Sequence, residues 1–271
     1  MKVNLLPERR LKSTEQDFLE KQLRIFYENA TDYEAFNEIS DQSNCWNNIL
    51  PEIINKLKRQ EKVRILEIGA GRSGFGKFLS RHNIRSDVYW IAQDVTTQNK
   101  SWLKTESNEV YIGHIEELLS NRKFDIIFST FVFEHVTNPN MHLEKLNSLL
   151  NDDGSIYIFC PRYDLPGYLC PSSRHLHFSK KMFFLLKCFF YRLKTLITQQ
   201  PSFLLQTDLA AFHRPFSRDS DAVHWVSSLD LRFWALNHKL KVINLKFGNP
   251  IFFTKDWFVK KWLICAVKIQ K

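Results

Sequence analysis

The chain has 271 residues, 44 % apolar and 25 % charged, with 38 Lys and Arg against 29 Asp and Glu for a formal charge of +9. This balance describes a folded chain able to bury a large core, and excludes disordered and collagen-like chains. The charge divides unevenly: residues 155–271 carry 18 Lys and Arg, 6 Asp and no Glu, a net +12, whereas residues 1–154 are close to neutral at −3.

In chain order, Phe18, Leu19, Leu23, Phe26 and Tyr27 recur at three- and four-residue spacing and predict a helical N-terminal segment. A polar stretch at 37–48 interrupts it, and Pro51 fits the first turn of a second helix over 52–58. The run VRILEIG from Val63 is rich in β-branched residues and ends in glycine, as a buried parallel strand does. A helix is expected over 72–81, strands over 87–92, 109–112 and 124–131, and a helix over 142–150. A turn at 151–154 then leads to a fifth strand over 155–160, stopped by Pro161. Strands alternating with helices at this spacing predict a doubly wound, mostly parallel α/β sheet.

After Pro161 the alternation stops. Residues 162–227 hold four prolines, several His and Asp, and a Phe-rich run, and read as an insertion at the ligand end of the sheet. A helix over 229–240 and strands over 241–247 and 262–269 close the fold, for seven strands in all. The expected organisation is one domain: a helical cap at 1–62, a core at 63–161, an acceptor-side insertion at 162–228, and a closing unit at 229–271.

The richest stretch is Glu67-Ile68-Gly69-Ala70-Gly71-Arg72-Ser73-Gly74, between a strand and a helix. Glycines at 69 and 71 allow a sharp turn and close approach of a ligand to the backbone. Its G-x-G-x-x-G spacing also occurs in dinucleotide sites. However, Glu67 at the strand end suits a cationic ligand better than a pyrophosphate. Asp94, at the end of the second strand, is placed to accept hydrogen bonds from ribose hydroxyls. A ribose, an adenine and a positive centre together describe S-adenosylmethionine.

Here the sequence resembles the class I SAM-dependent methyltransferases, with their Rossmann-like sheet. VRILEIGAGRSGFGKFL is similar to their first motif and WIAQDV to the second. Tyr111-Ile112-Gly113-His114-Ile115 stands where the adenine is usually bordered, and FDIIFSTFVFEHV with SIYIFCP matches the fourth and fifth segments. Five segments in order, over 63–161, carry the resemblance. It implies S-adenosylmethionine as cofactor, held by Glu67, Gly69, Ala70, Gly71, Asp94, His114, Ile115 and Thr130. The chain departs from the family in placing the third glycine at 74 and a histidine at 114.

Methyl transfer needs a nucleophile held in line, and a hydroxyl acceptor also benefits from a base. Glu134-His135 follows the fourth strand at the acceptor end of the sheet, and the resemblance makes His135 a catalytic candidate. Phe131 and Phe133 occupy the positions before it, so no metal is expected. In the insertion, Asp219, Asp221, His224 and Trp225 lie close in sequence. Asp221 or His224 is expected to accept a proton, and Trp225 to stack on a sugar. Arg174, His175 and His177 form a further cluster.

The DAVHWV element is similar to one in methyltransferases of surface polysaccharide biosynthesis, which implies a glycan or glycolipid acceptor. The alternatives are a small lipophilic, quinone-like acceptor, a non-catalytic SAM-binding protein and, more distantly, an NAD oxidoreductase. Nucleic acid is disfavoured, because the basic residues are interleaved with others and form no familiar module. Lys180, Lys187 and Lys194 fall on one stripe of an otherwise apolar, aromatic run. Residues 180–197 therefore read either as a lid on the sheet or as a peripheral membrane contact.

Five cysteines (45, 160, 170, 188 and 265) without a C-x-x-C pair argue against a disulfide scaffold or four-cysteine zinc site. The N-terminus lacks a signal-peptide run. Nothing reaches the about 18 consecutive apolar residues of a membrane span, and residues 182–197, the nearest case, are broken by three cations. The expectation is a soluble, cytoplasmic protein.

Overall fold

The computed structural model describes residues 13–29, 45–118, 121–165, 168–173, 176–205, 220–221, 226–245 and 263–271. Helix α1 (Ser13–Glu28) precedes α2 (Leu50–Leu57). The sheet then begins with β1 (Val63–Ile68), α3 (Phe75–Arg81), β2 (Val88–Asp94), α4 (Lys100–Glu106) and β3 (Glu109–Ile112). It continues with β4 (Phe124–Thr130), α5 (Pro139–Leu149) and β5 (Leu150–Pro161). The long helix α6 (Phe178–Thr198), then α7 (Ser228–Asn237), β6 (Lys241–Asn244) and β7 (Ile264–Gln270), complete it.

The seven strands lie in the order β3-β2-β1-β4-β5-β7-β6. β1 to β5 pair in parallel, and β7 runs antiparallel to both β5 and β6. This is the expected doubly wound sheet, closed by one antiparallel hairpin.

Both faces are covered, and the strands alternate between them. Val63 and Ile65 of β1 face a core shared with Ile53 of α2, Phe75 and Phe78 of α3, and Leu103 of α4. Leu66 and Ile68 face the other core, with Leu143 and Leu146 of α5 and Leu231 and Trp234 of α7. Burial on both faces explains why the parallel strands read as continuous apolar runs rather than alternating ones.

Element ends shift by up to three residues elsewhere, as where α5 starts at Pro139 and α7 ends at Asn237, and three differences have a clear physical reason. Helix α3 starts at Phe75 and not at 72, because Ser73 and Gly74 finish the glycine turn: Ser73 Oγ accepts from Phe75 N at 3.1 Å. Helix α4 had no sequence signal, since its seven residues bury only Leu103. The expected turn at 151–154 lies inside β5 as an irregularity, where the register against β4 jumps from Phe124–Leu150 to Ile126–Ser155. Side chains hold it there: Asn151 Nδ2 donates to Asp125 Oδ1 at 2.7 Å, and Lys56 Nζ pairs with Asp153 at 2.8 Å.

Candidate functional site

The strand order reverses between β1 and β4, and the crevice at their carboxyl ends is where an open α/β sheet receives ligands. The loops leaving β1, β2, β3 and β4 meet there. Gly69 takes φ +61°, and a Cβ on it would stand 2.5 Å from Val132 Cγ2, so the loops after β1 and β4 approach closely only because residue 69 is glycine. Gln93 ties three strand ends together. Its Oε1 accepts from Gly69 N at 3.0 Å, its Nε2 donates to the Gly113 carbonyl at 2.7 Å, and its own carbonyl accepts from Ala70 N at 2.7 Å.

Asp94 braces the same turn. One carboxylate oxygen accepts from Gly71 N at 2.8 Å, and the other from Thr96 N and Oγ1 at 2.9 and 3.1 Å. Burial raises its carboxyl above the usual range, and the backbone hydrogen bonds from Thr96 and Gly71 oppose that rise.

Glu67 is buried beneath the turn and accepts from Ser73 Oγ at 2.9 Å through Oε1. Its Oε2 has no hydrogen-bond partner among the described residues. Burial pushes its carboxyl up to about 8, with the Ser73 hydroxyl and the neighbouring Trp90 side chain opposing. Burial therefore favours the neutral acid of Glu67 in the isolated protein, and a cationic group at Oε2 would favour the anion expected from sequence.

The cleft is lined by Gly69, Asp94, His114, Ile115 and His135 of the expected residues. Glu67, Ala70, Gly71, Thr130 and Asp221 are not among its lining residues, and the first three act through the turn just described. His135 Nδ1 lies 3.4 Å from Asp221 Oδ1, so the structure brings together two candidates 86 positions apart. His135 also meets the ring of Tyr27 edge-on, with centroids 6.0 Å apart. His224, Trp225, Asp219, Arg174 and His175 lie outside the described residues. Among the described residues, no group of three His, Cys, Asp or Glu is placed to hold a metal ion.

Several lining residues had no sequence signal. Helix α1 supplies Glu20, Leu23, Arg24 and Tyr27, which wall the cleft on one side. Glu20 Oε1 fastens it there by accepting from Thr137 Oγ1 at 2.6 Å. Glu116 and His142 pair at 3.0 Å across the cleft wall. Burial works against the Glu116 carboxylate, but the hydrogen bond and charge of His142 outweigh it, so Glu116 stays below its usual range. Phe131 takes φ +57°, a conformation rare for a bulky side chain. Such strain gathers at ligand sites, where surrounding structure over-determines the backbone.

The sheet order, the glycine turn and the crevice define the fold of the class I SAM-dependent methyltransferases. The methyltransferase-domain family matches residues 40–235, and the chain belongs to that family. A curated relative from Staphylococcus carnosus (strain TM300), described as an uncharacterized methyltransferase, is 24 % identical over 159 residues, 54 % of this chain and 70 % of its own length.

Among solved structures, the 1,6-didemethyltoxoflavin-N1-methyltransferase of Burkholderia thailandensis, with 1,6-didemethyltoxoflavin and S-adenosylhomocysteine bound, superposes with a TM-score of 0.55. It is 10 % identical, over 99 % of this chain and 94 % of its own. The plantazolicin methyltransferase BpumL in complex with SAH gives 0.52 at 11 % identity, over 96 % and 98 %. At such identities the likeness is one of fold.

The site's chemistry fits S-adenosylmethionine, the cofactor of this fold. Glu67 Oε2 is a buried oxygen that makes no hydrogen bond among the described residues, Asp94 borders the cleft beside Gly69, and Ile68, Leu23 and Tyr27 offer apolar walls.

Proposed function

We propose that this methyltransferase O-methylates a hydroxyl of its acceptor, and that the acceptor is a saccharide of a glycan or glycolipid intermediate. S-adenosylmethionine supplies the electrophilic methyl carbon. Asp94 receives ribose hydroxyls, His114 and Ile115 border the adenine, and the Gly69 turn admits the cofactor's chain close to the backbone. Glu67 answers a cationic group through Oε2.

The observation that carries the reading is the His135–Asp221 pair: His135 lines the cleft, and Asp221 Oδ1 lies 3.4 Å from its Nδ1. An N-methylated amine needs no base once neutral, whereas a hydroxyl gains from one. A buried carboxylate 3.4 Å from Nδ1 stabilises the imidazole once it is protonated, and Nε2 is the nitrogen that would take the hydroxyl proton. The saccharide half of the proposal rests on the resemblance of the 221–226 element to polysaccharide methyltransferases.

Transfer of radiolabelled methyl from SAM onto fractionated cell extract tests it. Label is expected in the lipid-linked glycan fraction. With acceptor in hand, His135→Ala is expected to lower kcat about 10²- to 10⁴-fold while cofactor affinity changes little. Label in the small-molecule, protein or nucleic-acid fraction overturns the acceptor. Full kcat in His135→Ala overturns the base.

A further inference from the structure

The long helix α6 is amphipathic in an unusual sense. Its side toward the protein is narrow: Phe184, Cys188 and Thr195 are its buried residues, and they lie on one line. Phe184 and Cys188 pack with Tyr163, Cys170 and Leu204. On the opposite side, nine large apolar side chains between Phe178 and Ile197 stand 41–74 % exposed. At 3.6 residues per turn they sweep an arc of about 140°. Single exposed apolar residues are ordinary, but a continuous apolar face of this kind marks an interaction surface.

The charges settle what covers it. Lys180, Lys187 and Lys194 run along one edge of the apolar arc and Lys181 along the other, and the helix contains no acidic residue. Lys187 and Lys194 lie 5.8 and 5.9 Å from the Tyr191 ring centroid. Arg192 is engaged elsewhere, in an ion pair with the buried Asp164. A second copy of this helix is a poor occupant, since pairing two such faces sets lysine edge against lysine edge with no carboxylate to relieve them. An apolar face rimmed by lysines suits an anionic bilayer surface: the rings enter the acyl boundary while the lysine stems reach up to the head groups. Among the described residues no helix is long and apolar enough to cross a membrane, so the contact is in plane.

We infer that α6 docks the protein on membranes carrying anionic lipids. The anchor is firm: Asp164, just beyond β5, holds Arg192, and Ser202 N, just beyond the helix, donates to the buried Asp230 of α7 at 2.7 Å. Docking therefore fixes the whole sheet relative to the bilayer. The inference stands on the helix alone and not on the choice of acceptor.

Flotation of the full chain with phosphatidylcholine vesicles, with and without phosphatidylglycerol, tests it. Binding to the anionic vesicles is expected, weakening as salt rises. The double variant Phe189→Glu/Phe190→Glu is expected to reduce binding about tenfold or more, and Lys180→Gln/Lys194→Gln to remove much of the preference for anionic vesicles. An unchanged melting temperature in both variants confirms the fold. No flotation with anionic vesicles overturns the proposal, as does equal binding to both vesicle types untouched by the phenylalanine variant. A dimer in solution that the phenylalanine variant dissociates, without vesicle binding, assigns the face to self-association and also overturns it.

Discussion

Glu67→Gln isolates the buried carboxyl under the glycine turn. The folded protein holds this group's pKa at about 8 against the usual 4.5. Between those values the folded chain keeps a proton that the unfolded chain has released, so stability falls as pH rises through the window and levels off above 8. At ~1.36 kcal/mol per pH unit the full loss is on the order of 3–5 kcal/mol. Glutamine keeps an acceptor for the Ser73 hydroxyl and does not ionise. Urea unfolding from pH 5 to pH 9 is therefore expected to show the wild type losing stability while Glu67→Gln stays nearly flat, with the variant the more stable at pH 8 and above. A cationic ligand group at Oε2 favours the anion, so SAM affinity of the wild type is expected to rise with pH up to about 8. Calorimetric titration of SAM reads this directly, and the rise is expected to vanish in the variant. Parallel stability curves for the two proteins would refute the burial argument. A pH-independent SAM affinity in the wild type would refute the assignment of Glu67 to the cofactor.

Gly69→Ala puts a Cβ 2.5 Å from Val132 Cγ2 at φ +61°, so a stability loss of about 3 kcal/mol is expected, with at least a tenfold fall in SAM affinity. The double variant with Val132→Ala should regain part of both, because the two contacts near 2.5 Å go, while a tight 3.1 Å contact with Cβ of residue 132 and the backbone cost stay. Asp94→Asn turns an amide donor toward Gly71 N or Thr96 N, so chemical denaturation is expected to show about 1–3 kcal/mol lost and titration a much weaker SAM complex. Unchanged stability would count against the bracing role. Glu20→Ala removes the acceptor for Thr137 Oγ1 that fastens α1 at the cleft. Faster amide exchange in α1 than in β1 and faster SAM dissociation are expected, and unchanged exchange would refute the wall as α1's function.

The core of the sheet was legible because its signals are local. VRILEIG, WIAQDV and FDIIFST are buried on both faces, so each reads as an apolar run, and their strands appear within two residues of expectation. The glycine turn was legible because Gly69 and Gly71 both adopt positive φ, which few other residues tolerate. Helix α4 was not legible, having one buried residue and no period to count. The irregular 151–154 segment was read as a turn because Asn-Asp-Asp-Gly favours one, and long-range partners such as Lys56 and Asn151–Asp125 outweighed that preference.

The sequence by itself determined the fold class, the glycine turn, the acid ending β2 and the position of His135, since each depends on residues near one another in the chain. Tertiary structure alone decided that Asp221 faces His135, that α1 walls the cleft, that Gln93 clamps three strand ends, and that Glu116 meets His142. It also decided that burial raises the Glu67 carboxyl and that the apolar side of α6 points outward. Burial and pairing between distant segments leave no mark in local spacing: a carboxylate's charge depends on what surrounds it, and a helix periodicity shows that two faces differ without showing which one meets the protein.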